Sequence, residues 1–157
     1  MQKRILPAIV LSAALVFSSC NSDSDSNTGN ADSSAATTDN NLSTDPKGVG
    51  KFRNVELTHP LDEKMVADGK IVYDVKCQSC HKLTDERLVG PGWKGVTDRR
   101  TPEWIMNFVT NVDEMLEKDT AAQRQLEVCL VRMPNQNLSD AEARNVLEYM
   151  RKNDGKQ

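Results

Sequence analysis

The chain has 157 residues, of which 38% are hydrophobic and 27% are charged, as in ordinary soluble globular proteins. Its formal net charge is −3 and no basic stripe runs through it, which argues against nucleic-acid binding. Aromatic residues make up only 4% of the chain, so they supply little of a hydrophobic core.

The first 20 residues have the pattern of a bacterial lipoprotein signal. Lys3 and Arg4 precede an apolar run over residues 5–17, which is as long as a signal-peptide core and too short to span a membrane. Two serines and Cys20 follow, as at a site where the cysteine is lipidated and becomes the mature N-terminus. We predict a signal peptide over residues 1–19 and lipidation of Cys20. The alternative is an ordinary secretory signal with an incidental cysteine.

Residues 20–48 are predicted to form a lipid-anchored, disordered linker. Asn, Ser, Asp, Thr, Ala and Gly dominate this stretch, and Leu42 is its only large apolar residue. Such a composition cannot bury enough surface to offset the entropy lost on ordering. As a random coil it reaches roughly 30 Å. The folded domain, residues 49–157, would then sit on the periplasmic side of a bacterial membrane, inner or outer.

A helix predicted from Leu61 to Lys76 leads directly into Cys77-Gln78-Ser79-Cys80-His81. Cys-x-x-Cys-His is the attachment signature of a c-type haem. The two thiols add to the vinyl groups of the haem, and the imidazole that follows lies under the iron as an axial ligand. We therefore predict one covalent haem c on Cys77 and Cys80, with His81 as an iron ligand.

Two other interpretations of the cysteine motif are weaker. A redox-active Cys-x-x-Cys is expected after a strand, whereas this motif follows a predicted helix. A zinc site needs further ligands, and only His59 and Cys129 remain, without matching spacing.

Three more helices are predicted beyond a Gly- and Pro-rich loop over residues 83–100. One begins at Thr101-Pro102, where threonine can cap and proline suits the first helical position. One covers about residues 119–130, and the last follows a capping box formed by Ser139 and Glu142. No alternating strand pattern is evident. The predicted fold class is all-α, a small helical domain with long loops wrapped around the haem.

At this point the sequence resembles the class I cytochrome c family over about residues 62–152. Beyond the haem motif, Gly69 and Tyr73 stand as in that family's first helix, and residues 90–96 look like its Gly-Pro loop. Met133-Pro134 precedes a short loop and the terminal helix, like the family's sixth-ligand methionine. The resemblance implies a monohaem electron carrier and not an enzyme.

Met133 is the residue that we expect to be the second axial ligand. A loop methionine can approach iron from the face opposite His81, and its soft thioether favours ferrous iron. Met115 is a spare candidate. His59 could serve a bis-histidine haem, but its place before Pro60 favours a surface position.

The family resemblance also assigns residues around the haem. It implies that Pro91 offers its carbonyl to the far nitrogen of His81, and that Trp93 lies against the haem. Arg99 and the indole N–H of Trp104 are candidates for contacts with a haem propionate. Gly69 and Tyr149 resemble the family's contact between the first and last helices, where an aromatic ring covers a glycine.

Cys129 remains unpaired after these assignments. A buried small hydrophobe is the expected role, and an intermolecular disulfide or a redox-sensitive thiol are the alternatives.

The function predicted from the sequence is single-electron transfer by a membrane-tethered monomer between respiratory redox proteins, whose identity the sequence does not give. Basic side chains near the haem motif could form a docking patch or simply a solvated surface: Lys76, Lys82, Arg87 and Lys94. Two alternatives remain. One is an accessory haem subunit docked in a larger reductase or oxidase, and the other is a haem sensor or enzyme in which Met133 is displaceable.

Overall fold

The computed structural model describes residues 42–157, which form six α-helices without a named strand. The helices are α1 (Glu63–Val72), α2 (Val96–Arg99), α3 (Pro102–Thr110), α4 (Val112–Lys118), α5 (Thr120–Cys129) and α6 (Asp140–Asn153). A π-helical turn, Tyr73–Cys77, carries α1 into the cysteine motif. The predicted all-α fold is confirmed. No helix in this range is long and apolar enough to cross a membrane, and the predicted signal peptide and Cys20 lie outside the described residues.

Helices α3, α5 and α6 begin where the sequence analysis places a helix start, and the caps predicted at Thr101 and Ser139 are present. Thr101 accepts a backbone N–H at the start of α3, and Pro102 takes the first helical position. Asp119 caps α5, and Ser139 and Glu142 form the reciprocal capping box of α6. Because each cap satisfies backbone donors that have no partner inside the helix, these starts are set locally.

Two short helices lie where the sequence analysis predicts none. Helix α2 falls inside the predicted loop of residues 83–100 and starts after Gly95, whose φ of +71° suits glycine. Helix α4 fills the gap before α5 and buries Val112, Met115 and Leu116. Its seven residues are held by this burial, since a helix so short is not stable by itself.

The first and last helices meet at Gly69. A Cβ added there would lie 2.1 Å from the carbonyl oxygen of Asn145 and 2.9 Å from the Cβ of Tyr149. The ring of Tyr149 lies 5.6 Å from that of Tyr73, which in turn lies 4.9 Å from Trp93. This aromatic series connects the helix crossing to the loop beside the cysteine motif.

A buried carboxylate fastens the segment before α1 to α6. Glu148 is fully buried and pairs with Arg144 and Arg151 at 2.5 and 2.8 Å, while the hydroxyl of Thr58 donates to it at 2.8 Å. Burial raises the pKa of Glu148, but the hydrogen bonds from Arg144, Thr58 and Arg151 outweigh it, so the pKa falls below its ordinary value. Glu148 is therefore ionised at neutral pH, with its charge compensated.

Residues 42–48 lie against the helices although the sequence analysis places them in the linker. The backbone of Ser43 bonds to Lys118 and Thr120 at 2.6 and 3.0 Å. The buried amide of Asn107 donates to the carbonyls of Lys47 and Phe52 at 2.9 and 3.0 Å. The ordered domain therefore begins before residue 49, where the sequence analysis places its start. The composition of residues 42–48 does not indicate this attachment, because it is made by backbone groups of the segment and by the side chain of Asn107, and not by apolar side chains of the segment.

The carboxylate of Glu142 connects α6 to the cysteine motif and predicts a pH effect. Hydrogen bonds from the Ser139 N–H and from Lys76, the latter at 2.9 Å, lower the pKa of Glu142 from 4.5 to about 2. A depressed carboxyl pKa contributes stability that is fully present above pH 4.5 and is lost as the pH falls towards 2. Glu142→Gln should therefore flatten the acid-side decline of the free energy of unfolding, measured by denaturant titration across this range.

Glu86→Gln is the matched control for this effect, because Glu86 forms an exposed ion pair with Lys82 at 2.8 Å and caps no helix. Identical acid-side slopes in the two variants would contradict the role given to Glu142.

Candidate functional site

Two thiols are held on one turn at the end of the π-helical segment. The backbone N–H groups of Cys80 and His81 both bond to the carbonyl of Cys77 at 3.0 Å, which closes the turn. Cys77 is buried and Cys80 is half-buried. Burial raises the pKa of the Cys77 thiol to about 11, so this thiol is protonated at neutral pH. The turn therefore presents two thiols and an imidazole side by side.

The imidazole of His81 is oriented by a backbone carbonyl. Its Nδ1 lies 2.8 Å from the carbonyl oxygen of Pro91. Because a carbonyl only accepts, Nδ1 carries the proton and Nε2 keeps a lone pair suited to a metal. Burial lowers the pKa of His81 and outweighs the opposing effect of the Pro91 bond, so the ring is neutral. Pro91 thus has the position that the family resemblance implies.

The loop around Pro91 fits closely against the motif. The N–H groups of Val89 and Gly90 both bond to the carbonyl of Cys80, at 3.3 and 2.9 Å. A Cβ at Gly90 would lie 2.3 Å from Cε1 of His81, so glycine leaves the space that the ring occupies. The hydroxyl of Tyr73 donates to the carbonyl of His81 at 2.8 Å. Several independent bonds therefore hold the histidine side of the site.

A cavity of about 390 Å³ opens beside this turn. That volume is within the roughly 300–1,000 Å³ of cofactor and ligand pockets. Eight of the residues assigned from the sequence line it, namely Cys77, Cys80, His81, Pro91, Trp93, Arg99, Trp104 and Met133. Gly69 and Tyr149 lie at the helix crossing instead.

Met133 lines the cavity from a loop with few polar connections. Within residues 42–157, no backbone–backbone hydrogen bond joins residues 131–138 to the rest of the domain. The side chain of Arg132 pairs with Asp113 at 2.6 Å, and Met133 and Leu138 contact the core. The methionine side of the site is thus held mainly by apolar contact.

The other candidate ligands lie elsewhere. Met115 is fully buried, and its sulfur accepts the N–H of Val49 at 3.0 Å, so it serves the core and not the cavity. His59 is exposed and contacts the backbone of Gln157. Met150 also lines the cavity, from α6.

The assignment of the Trp104 indole N–H to a propionate is wrong. Nε1 of Trp104 donates to the buried carboxylate of Asp119 at 3.0 Å, which uses its one donor. The ring still lines the cavity, stacked on Phe108 with 4.9 Å between ring centroids. Trp104 is therefore a wall of the site and a support for the N-terminus of α5.

Arg100 is a charged lining residue that the sequence analysis did not assign to the site. Arg99, which it named, donates to the carbonyl of Lys94 at 2.7 Å. The Arg100 guanidinium lies 4.6 Å from the centroid of the Trp104 ring, and no described residue accepts a hydrogen bond from it. Trp104, four residues further along the chain, was a sequence signal for it, because a guanidinium is attracted to the face of an indole ring.

Cys129 is half-buried and lines the cavity, whereas a fully buried position was expected. Within residues 42–157, no group of three or more His, Cys, Asp or Glu side chains could hold a metal ion.

An apolar cavity, two thiols one turn apart and a neutral imidazole suit covalent haem, and together they define a c-type haem protein. The family model for cytochrome c matches residues 66–154, more than half of the chain. The chain belongs to the cytochrome c family. It is an electron-transfer haem protein with haem c attached through Cys77 and Cys80.

Solved structures agree with this assignment. A cytochrome c from Rhodothermus marinus is 31% identical, covering 69% of this chain and 92% of that chain, with a TM-score of 0.65. An engineered cytochrome c from the same organism is 30% identical, covering 71% and 99%, with a TM-score of 0.67. A cytochrome c domain from Pseudomonas putida is 29% identical, covering 55% and 88%, with a TM-score of 0.50. The comparison with curated proteins gives no match.

Proposed function

We propose that this protein is a membrane-tethered single-electron carrier whose haem iron is ligated by His81 and Met133. The observation that carries the proposal is the placement of both side chains on the wall of one cavity, His81 from the cysteine motif and Met133 from the loop before α6. Histidine with methionine raises the reduction potential of a c-type haem. Two protein ligands also keep the iron six-coordinate, which suits electron transfer better than chemistry on a substrate.

Arg100 is the cation that we assign to the acidic edge of the haem. It lines the cavity and its donors are not used by the described residues, whereas Arg99 is engaged with backbone carbonyls. A guanidinium binds carboxylates through paired N–H groups. When bound, the haem supplies the electron chemistry, and the chain orients it and limits access of water.

Replacing Met133 tests the ligand assignment, with Met150 as a matched control because both methionines line the cavity. Met133→Leu should abolish the methionine-to-iron charge-transfer band of the ferric holoprotein and lower its reduction potential. Met150→Leu should keep the band, since leucine and methionine have similar volumes. Absorption spectra and redox titration of both holoproteins measure this. A band that survives in Met133→Leu, or disappears in Met150→Leu, would contradict the assignment.

The membrane part of the proposal is supported by the lipoprotein pattern ending at Cys20 and by the polar composition of the stretch after it. The carrier would then reach partners from a tether on the periplasmic side of a bacterial membrane. Cell fractionation tests this directly. The unaltered chain should sediment with membranes, and Cys20→Ser should remain soluble or uncleaved. Equal membrane retention of a cleaved Cys20→Ser chain would refute the lipid anchor.

A further inference from the structure

The loop that carries Met133 has a single polar connection to the rest of the domain. Within residues 42–157, the ion pair of Arg132 with Asp113, at 2.6 Å, is the one side-chain hydrogen bond that joins residues 131–138 to another part of the domain. No backbone hydrogen bond adds to it. The position of Met133 therefore also depends on what holds the end of α5, from which the loop departs.

The C-terminal end of α5 is not stabilised by its own sequence. Leu130 follows the helix with a φ of +59°, a left-handed conformation that is unfavourable for leucine because of its Cβ. Its side chain is 84% exposed, so burial does not offset this cost. The carbonyl of Val128 is one of the last four of the helix, which have no partner inside it. A donor from outside the helix can therefore stabilise this end.

Arg87 supplies that donor from the histidine side of the site. Its guanidinium donates to the carbonyl of Val128 at 2.6 Å. A cation suits the negative end of a helix dipole, and a charged donor makes a stronger hydrogen bond than a neutral one. The backbone of Arg87 forms an isolated antiparallel bridge with that of His81. Arg87 thus connects the segment of His81 to the helix from which the methionine loop departs.

We propose that Arg87 and Arg132 are positioning residues for Met133, and that they slow its release from the iron. The inference rests on the proposed ligation by Met133. Arg87 fixes the start of the loop relative to His81, and Arg132 fixes the loop to the first turn of α4. Both arginines are exposed, and an exposed contact of this kind contributes modestly. Because the loop has so few polar connections, the loss of either contact should shorten the lifetime of the bond between methionine and iron.

Imidazole is the probe for this release, because it binds the ferric iron only at the position that Met133 leaves. Its binding to the ferric holoprotein of the full chain is followed by stopped-flow absorption, as the loss of the methionine-to-iron charge-transfer band. At high imidazole concentration the observed rate reaches a plateau that equals the rate of methionine release. One neutral ligand replaces another and no electron is transferred, so the measurement needs no redox partner.

Arg87→Leu should raise the plateau rate by roughly fivefold, since it removes the charged donor and keeps an apolar stem. Arg124→Leu is the matched control, because Arg124 is exposed on α5 and its side chain makes no hydrogen bond or ion pair with the described residues. It should leave the plateau within about twofold. Arg87→Lys, which keeps the charge but not the planar fork of donors, should lie between the two. Equal plateaus for Arg87→Leu and Arg124→Leu would contradict the role given to Arg87.

An exchange of charges tests Arg132. Arg132→Asp places two carboxylates together and should raise the plateau rate by roughly fivefold. Combining it with Asp113→Arg restores opposite charges and should return the plateau to within about twofold of that of the unaltered protein. A double variant that releases methionine as fast as Arg132→Asp would refute the role of this ion pair.

Spectra of the unaltered protein separate a failure of this inference from a failure of the proposed function. Absence of the charge-transfer band from the unaltered ferric holoprotein would refute ligation by Met133 itself. A band that is present, with plateau rates unaffected by substitution of Arg87 and Arg132, would refute their positioning role alone. Denaturant unfolding of the same variants completes the test, because a purely structural role would lower the free energy of unfolding and leave the plateau unchanged.

Discussion

Replacing Gly90 with alanine is expected to disturb the haem ligand on the histidine side. The added Cβ would lie 2.3 Å from Cε1 and 2.8 Å from Nδ1 of His81, so the ring must move. Movement would weaken the bond from Nδ1 to the carbonyl of Pro91, now 2.8 Å long. Forcing extra volume into a well-filled site costs about 1–3 kcal/mol, and a lost hydrogen bond adds about 1 kcal/mol.

The measurement for Gly90→Ala is denaturant unfolding of the ferric holoprotein together with its absorption and electron paramagnetic resonance spectra. A fall of about 2 kcal/mol or more in the free energy of unfolding is expected, with a changed low-spin signal. Leu88→Ala, in the same loop at 50% exposure, should stay within about 0.5 kcal/mol. A Gly90→Ala protein with unaltered stability and spectra would contradict this prediction, because it would show that the His81 imidazole can move without cost.

Gly69→Ala should separate the first and last helices. The added Cβ would lie 2.1 Å from the carbonyl oxygen of Asn145, and backbone cannot move aside as a flexible side chain can. Alanine inside a helix would otherwise stabilise by about 0.5–1 kcal/mol, so the net destabilisation understates the free-energy cost of the clash by about that amount. We expect a net loss of about 1–3 kcal/mol or more.

Thermal and denaturant unfolding of the holoprotein measure the effect of Gly69→Ala, with Ile71→Ala as the control. Ile71 lies on the same helix and is 63% exposed, so its replacement should change stability by no more than about 0.5 kcal/mol. A Gly69→Ala protein as stable as the unaltered one would show that the helix crossing accommodates a methyl group.

Local signals in the sequence predicted much of the fold and of the site. The motif over residues 77–81 and the caps Thr101 and Ser139 are short patterns whose chemistry depends on near neighbours. They located the thiols, the histidine and the starts of two helices. The Gly-Pro loop likewise led to Pro91 beside His81, through the family resemblance.

Contacts between distant residues were the part that the sequence did not reveal. The partner of the Trp104 indole is Asp119, which the sequence analysis recognised only as the beginning of a helix. Asn107 holds residues 47 and 52, more than 50 positions away, and nothing in its neighbourhood indicates this. Helix α4 shows apolar spacing, but over only seven residues, too few for a periodic signal. Each of these features is decided by tertiary structure.

The attachment of Ser43 would have a mechanical consequence under the lipid anchor proposed above. Its backbone is bonded on both sides, to Lys118 and to Thr120, at the junction of α4 and α5. Any pull transmitted along residues 20–42 therefore arrives at this junction. Cys129 and the loop bearing Met133 lie at the far end of α5, about 15 Å along the helix. Motion of the proposed anchor would thus load the domain away from the loop bearing Met133, at the junction where Asp119 accepts the indole N–H of Trp104, a wall of the haem cavity.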